Sequence, residues 1–133
     1  MNRPCFTDKL SIMIRKKILV IDDEPEMAEL LKMRLEPKGY DVEVSYCGKE
    51  GLEKAKDVRP DAVLLDIMMP NMDGLEVLRD MRKNPNTRNL PIIMITAKSD
   101  TGSIFKSKDL RATDYIIKPI DLVELEKMLE LYI

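Results

Sequence analysis

The sequence contains no histidine, which removes Ser-His-Asp and Cys-His catalysis and most zinc sites in one step. Any acid, base or nucleophile is therefore a carboxylate, lysine, tyrosine, hydroxyl or thiol. Cysteine is scarce as well. Cys5 and Cys47 lack C-x-x-C spacing, and so few in a chain this long argue against a secreted disulfide scaffold. Reduced thiols and a cytoplasmic location are the expectation. A basic excess is missing: 22 Lys plus Arg stand against 24 Asp plus Glu, for a net charge of −2. No direct grip on nucleic acid is expected from that balance. Long apolar runs are absent too. Ahead of Arg15 the apolar stretches are short, such as Leu10, Ile12, Met13 and Ile14, too interrupted for a signal peptide or a membrane span. Residues 1–15 read as a tail outside the fold and residues 16–133 as one domain.

What is present suffices for a single core. The chain has 133 residues, 44% hydrophobic and 35% charged, in the range of one compact domain. Four short apolar runs, Ile18–Ile21, Ala62–Leu65, Ile92–Ile95 and Ile116–Ile117, read as strands, and Val42, Val44 and Tyr46 alternate with polar residues as a fifth. Helical spacing separates them: Met27, Leu30, Leu31 and Leu35; Leu52 and Ala55; Leu75, Leu78 and Met81. A final stripe of Leu122, Leu125, Leu129 and Tyr132 opens on Asp121 with Glu124 three residues later, the spacing of a capping box. Alternating strands and helices imply right-handed crossovers and a parallel sheet covered on both faces. The continuously apolar first, third and fourth strands belong inside it, and the alternating second at an edge. The expected fold is therefore α/β and doubly wound, a flavodoxin-like five-stranded sheet in the order 2-1-3-4-5. The weak stretch is Ser99–Arg111, where only Ile104, Phe105 and Leu110 are large and apolar; a short or mobile fourth helix is expected there.

In open α/β sheets ligands bind at the carboxyl ends of the strands. Asp22, Asp23 and Glu24 follow the first apolar run, Asp66 the third, Thr96 the fourth and Lys118 the fifth. Clustered aspartates repel, and at least one pKa should rise unless a counter-charge is present. Carboxylate and carbonyl oxygens suit Mg²⁺, or Mn²⁺, in octahedral geometry. A metal, a lysine and a threonine hydroxyl are what a phosphoryl group needs around it, and a carboxylate can attack in line without a general base. Each piece alone has a plainer reading. Asp22-Asp23-Glu24-Pro25 is also a good helix start, Asp66 a turn or cap residue, Thr96-Ala97 a strand end and Lys118-Pro119 a break before the last helix. Their placement at successive strand ends favours a joint site.

Over about Lys16 to Tyr132 the chain resembles the receiver domain of two-component response regulators. The resemblance rests on Lys17-Ile-Leu-Val-Ile-Asp-Asp-Glu-Pro25, on Asp66-Ile-Met-Met-Pro-Asn-Met-Asp-Gly74, on Thr96-Ala97 and on Tyr115-Ile-Ile-Lys-Pro119. It implies that Asp66 is the phosphoacceptor, receiving its phosphoryl group from a sensor histidine kinase or phosphotransfer protein. Asp23, Asp66 and the backbone carbonyl of Met68 would hold Mg²⁺, with Asp22 acting through metal-bound water. Lys118 would pair with the phosphoryl group, Thr96 would shift to bond it, and Tyr115 would follow as the aromatic switch. The resemblance further implies a cis Lys118–Pro119 bond, and an output face made of the fourth helix, fifth strand and fifth helix. It implies no enzyme in the ordinary sense, only self-catalysed phosphoryl transfer and autodephosphorylation.

Three residues or segments depart from the family pattern. Arg111 stands where the family usually has glycine, so the end of the fourth helix is expected to be built differently. That helix lacks the usual small apolar residues, which speaks for a monomer or a weak phosphorylation-dependent dimer. Pro37 requires the first helix to stop near Leu35 or Glu36. Met68 and Lys98 occupy the two positions that tune phosphoform lifetime in this family, and a long apolar Met68 is expected to screen an acyl phosphate from water. The chain ends one helix beyond Pro119, which suggests a stand-alone module acting on a downstream target protein. The alternatives are a receiver fragment of a larger regulator or hybrid kinase, and a metal-dependent phosphatase of similar fold.

Overall fold

The computed structural model describes residues 15–97 and 99–133; Lys98, Cys5 and all of the expected tail except Arg15 lie outside them. The elements are β1 (Lys16–Ile21), α1 (Pro25–Leu35), a 3-10 turn (Glu36–Lys38), β2 (Tyr40–Ser45), α2 (Gly48–Val58), β3 (Ala62–Asp66), α3 (Gly74–Lys83), β4 (Ile92–Thr96), α4 (Thr101–Asp109), β5 (Asp114–Ile117) and α5 (Leu122–Tyr132). All strand pairs are parallel, in the order β2-β1-β3-β4-β5, as the hydrophobic pattern predicts. No helix among the described residues is long and apolar enough to cross a membrane.

Because successive side chains of a strand point to opposite faces, each apolar run feeds two cores. Ile18, Val20, Leu64, Ile93 and Ile95 pack against Ala28, Leu31 and Leu35 of α1 and Leu125 and Leu129 of α5. Leu19, Ile21, Val63, Leu65, Ile92 and Met94 pack against Ala55 of α2 and Val77, Leu78 and Met81 of α3. Every residue of β3 and β4 is buried, the expected state of inner parallel strands. The two-sided core makes the strands rigid rails, and it is their ends that carry chemistry.

Local signals account for the helix boundaries. Pro25 opens α1 at a position where its missing N–H costs nothing. Pro37 falls in the 3-10 turn after α1 has ended at Leu35. Asp73, Asp100 and Asp121 cap α3, α4 and α5 by accepting from backbone amides.

Three local expectations are corrected and one is met. Leu30 is exposed and Ala28 takes its place in the core, because the helix face turned to the sheet follows Ala28, Leu31 and Leu35. β2 ends at a buried Ser45, leaving Tyr46 exposed beyond it. The short fourth helix expected after β4 is present: α4, at nine residues, is the shortest α-helix among the described residues and buries only Ile104 and Ser107, with Phe105 exposed. The end of α4 is not built differently. Arg111 takes the left-handed conformation itself, φ 66°, and its amide bonds Lys108 O at 3.0 Å while that of Ala112 bonds Ser107 O at 2.8 Å. This pair of bonds is a Schellman closure, made here with arginine in the position that glycine fills most cheaply.

Candidate functional site

The carboxyl ends of β1, β3, β4 and β5 converge on one crevice. Asp66 is the last residue of β3 and is 1% exposed. Asp22 follows β1 and is fully buried, while Asp23 beside it is half-buried. One carboxylate oxygen from each of Asp22, Asp23 and Asp66 lies within 4.8 Å of the others. Lys118, directly after β5, reaches in with Nζ 3.4 Å from Asp66 Oδ1 and 3.7 Å from Glu24 Oε1. Its amide donates to Thr96 O at 2.8 Å, which ties the lysine to the end of β4. The Lys118–Pro119 bond is cis.

The loop after β3 is held by two backbone bonds, Ile67 N to Ile95 O at 3.0 Å and Gly74 N to Ile67 O at 2.9 Å. A Cβ at position 74 would collide with the Asp66 carbonyl oxygen. Glycine is required there because α3 begins hard against the end of β3. Met68 sits at the rim with its side chain 65% exposed. Thr96 is buried at the end of β4, and its hydroxyl makes only a long bond, 3.3 Å, to Ala97 O. Tyr115, half-buried in β5, packs against the α2–α3 side of the core with the Lys108 ammonium 5.5 Å from its ring centroid.

Charge in this crevice is unbalanced. Asp22 Oδ1 accepts from the Glu24 amide at 2.9 Å, but Asp22 Oδ2 and both oxygens of Asp66 are buried without a hydrogen-bond partner. The Lys118 contact is a charge pair without hydrogen-bond geometry. Burial, reinforced by the Asp22 charge and only partly offset by Lys118, pushes the Asp66 carboxyl up to about 6. Burial also raises Asp22, against the Glu24 amide and Lys118. Burial works against the Lys118 charge, but the Asp66, Asp22 and Glu24 carboxylates outweigh it and hold the lysine above its ordinary value. Leaving buried carboxylate oxygens bare is costly. Several hard oxygen donors facing one point, with more negative than positive charge around them, fit a divalent cation such as Mg²⁺.

Every residue singled out from the sequence at the strand ends is therefore found at this one crevice, apart from Tyr115, which lies further back along β5, and Lys98, outside the described residues. Sequence reasoning missed the pairing of Lys118 with Glu24 and the Lys108 ammonium over Tyr115; side-chain reach of this kind leaves no trace in spacing.

Comparison with known proteins places this geometry. Residues 18–130 match the model of the response regulator receiver domain family. The response regulator ArlR of Staphylococcus saprophyticus is 49% identical over 109 residues, covering 82% of this chain and 48% of that protein; the chain thus spans about half the length of this curated relative. Among solved structures, the chemotaxis protein CheY4 of Vibrio cholerae superposes with a TM-score of 0.84 at 29% identity, covering 90% of this chain and 99% of that one. The receiver domain of the sensor histidine kinase PA1611 from Pseudomonas aeruginosa, with a magnesium ion coordinated in its active-site cleft, gives 0.82 at 30% identity over 89% and 97%. With its sheet order, its acidic crevice and the match over nearly the whole described chain, the protein belongs to the response regulator receiver domain family.

Proposed function

We propose that this receiver is switched by phosphorylation of Asp66. The donor is a phosphohistidine on a sensor histidine kinase or phosphotransfer protein. One observation carries the reading: Asp66 is buried at a strand end with no hydrogen-bond partner, its oxygen 3.4 Å from Lys118 and within 4.8 Å of Asp22 and Asp23. An Asp66 oxygen attacks phosphorus in line, the P–N bond to the donor imidazole breaks with its electron pair staying on nitrogen, and an acyl phosphate forms. No base is needed, because the nucleophile is already an anion. Asp23, Asp66 and the Met68 backbone carbonyl would hold Mg²⁺, with Asp22 beside them at the same site. When bound, the ion neutralises charge on the transferring phosphoryl oxygens.

The chain's own residues do the rest. Lys118, already paired with Asp66, moves its charge onto a phosphoryl oxygen. Thr96 gives up a weak 3.3 Å bond to Ala97 O for a charge-assisted one to the phosphoryl group. Its displacement is followed by Tyr115, and the change reaches α4, β5 and α5. The phosphoryl group can bias that face only by its differential interaction with the two states; about 5.5 kcal/mol would turn a 1:99 population into 99:1. The face engages a protein target in the cytoplasm, either a separate chain or a further part of a longer regulator. Phe105, Ile117 and Val123, exposed on α4, β5 and α5, give it an apolar contact.

Intact-mass spectrometry with Mg²⁺ and acetyl phosphate tests the reading. A single phosphoryl adduct is expected, lost on chelation and in Asp66→Asn. No adduct under conditions that label a known receiver contradicts it, and steady turnover of a phosphate ester would point instead to a phosphatase.

A further inference from the structure

The amino ends of β4 and β5 carry the opposite charge to the acidic crevice. Arg82, in the last turn of α3, is half-buried. Its guanidinium donates to the carbonyls of Leu90 at 2.8 Å, Arg111 at 2.9 Å and Arg88 at 3.1 Å, and to Thr113 Oγ1 at 3.4 Å. These acceptors satisfy its hydrogen bonds but bring no formal negative charge. Arg88 and Arg111, both exposed, line the same cleft with Asn89. Among the described residues none of the three guanidinium groups is paired with a carboxylate. Asp114, next along the chain, is committed elsewhere, accepting from Tyr132 Oη at 2.7 Å and the Tyr115 amide at 2.8 Å. Asp109 faces a different cleft, beside Lys106 and Arg79.

Arg111 closes α4 with its left-handed backbone, φ 66°; its carbonyl accepts from Arg82 Nε at 2.9 Å, and it lines the cleft with Arg82 and Arg88. The cleft measures about 240 Å³, the liquid volume of about eight waters, which is enough for two linked phosphoryl groups. Arginine's planar fork meets phosphate oxygens in pairs.

We propose that the cleft formed by Arg82, Arg88 and Arg111 is a binding site for a diphosphate group. Arg88 and Arg111 close on its oxygens, and Arg82 supplies fixed charge from beneath. Two sources share this chemistry, free inorganic pyrophosphate and a nucleoside diphosphate.

Calorimetric titration of the full chain in EDTA, with pyrophosphate and with ADP in separate arms, tests the site. Wild type should bind at least one of them saturably. Arg88→Gln and Arg111→Gly should each weaken that binding about tenfold, the equivalent of one charge-assisted hydrogen bond. Arg111→Gly also relieves the left-handed strain, so its loss of binding cannot come from a failure to fold. Tighter ADP binding identifies a nucleotide and equal or weaker ADP binding the free anion. Absence of saturable binding in both arms overturns the proposal, as does binding undiminished in both variants. Binding lost in Lys118→Met but kept in the arginine variants would place the anion at the other end of the sheet and overturn it too. Displacement of the anion by a glutamate-rich peptide at lower concentration would assign the cleft to an acidic protein segment instead.

Discussion

Both ends of the sheet gather like charges, but they leave them in different states. At the amino end, the half-buried Arg82 directs its donors at three carbonyls and a hydroxyl, so the polar groups are satisfied by the chain alone. At the carboxyl end, the buried oxygens of Asp66 and one of Asp22 have no hydrogen-bond partner, and a single lysine stands against three aspartates and Glu24. At the amino end the buried hydrogen bonds are met, and only the positive charge of Arg82, Arg88 and Arg111 is left without a carboxylate among the described residues. The carboxyl end is held in an unfavourable arrangement by two well-packed cores, which a bound divalent cation would relieve. Stability spent at a strand end in this way is the physical sign of a site.

The largest expected difference between the two ends is in their response to pH. Asp66 has its folded pKa near 6 against an ordinary 3.8, so between those values the folded state binds more protons than the unfolded. Stability therefore falls as pH rises through the window and stays low above it. For metal-free protein the loss attributable to Asp66 is about 3 kcal/mol, and Asp22, also raised, acts in the same direction. Urea unfolding in EDTA should show the advantage of Asp66→Asn over wild type growing by about that amount from about pH 4 to about pH 7. A constant difference would mean that Asp66 is not destabilised by its surroundings.

The amino end should respond in the opposite sense. Arg82→Met leaves the three carbonyls to find water and should lower stability by about 2 kcal/mol in the same assay. A neutral result would show that the bonds contribute nothing. A smaller effect of the other sign is expected from Arg111→Gly, which relieves the left-handed strain at the end of α4 and should raise stability by up to about 1 kcal/mol; a destabilised variant would mean that the arginine side chain is itself needed. The smallest effect concerns the rim of the crevice. Met68, 65% exposed beside Asp66, is expected to hinder water if Asp66 is phosphorylated, so Met68→Asn should lose the phosphoryl group a few times faster when the adduct is followed by mass. Slower or unchanged loss would leave Met68 without a kinetic role.

Most of the carboxyl end was legible in the sequence, because inner parallel strands are written as continuous apolar runs and the residue after each run marks the crevice. Ile18–Ile21, Ala62–Leu65 and Ile92–Ile95 located Asp22, Asp66 and Thr96 in this way. The edge position of β2 followed from the alternation of Val42 and Val44. The amino end was not legible. Arg82 is a surface-type residue in a helix, and nothing in its spacing tells that it turns under the chain to meet Leu90 and Arg111. The core face of α1 was misread for a related reason, since a small Ala28 packs closest to the sheet while a larger Leu30 stays outside. The end of α4 was misread because glycine's preference for the left-handed cap is only energetic, about 1 kcal/mol, and Arg111 adopts the same closure, its amide bonding Lys108 O.

The carboxyl end is expected to be incomplete until its aspartates bind a divalent cation. Urea unfolding of wild type and Asp23→Asn, each with EDTA and with millimolar Mg²⁺, tests it most directly. An ion bound only by the folded state stabilises it in proportion to the logarithm of its concentration over Kd. Wild type should therefore gain stability with Mg²⁺, continuing to rise as more is added, while Asp23→Asn gains little. Equal behaviour of the two proteins, or no gain in wild type, would contradict the account.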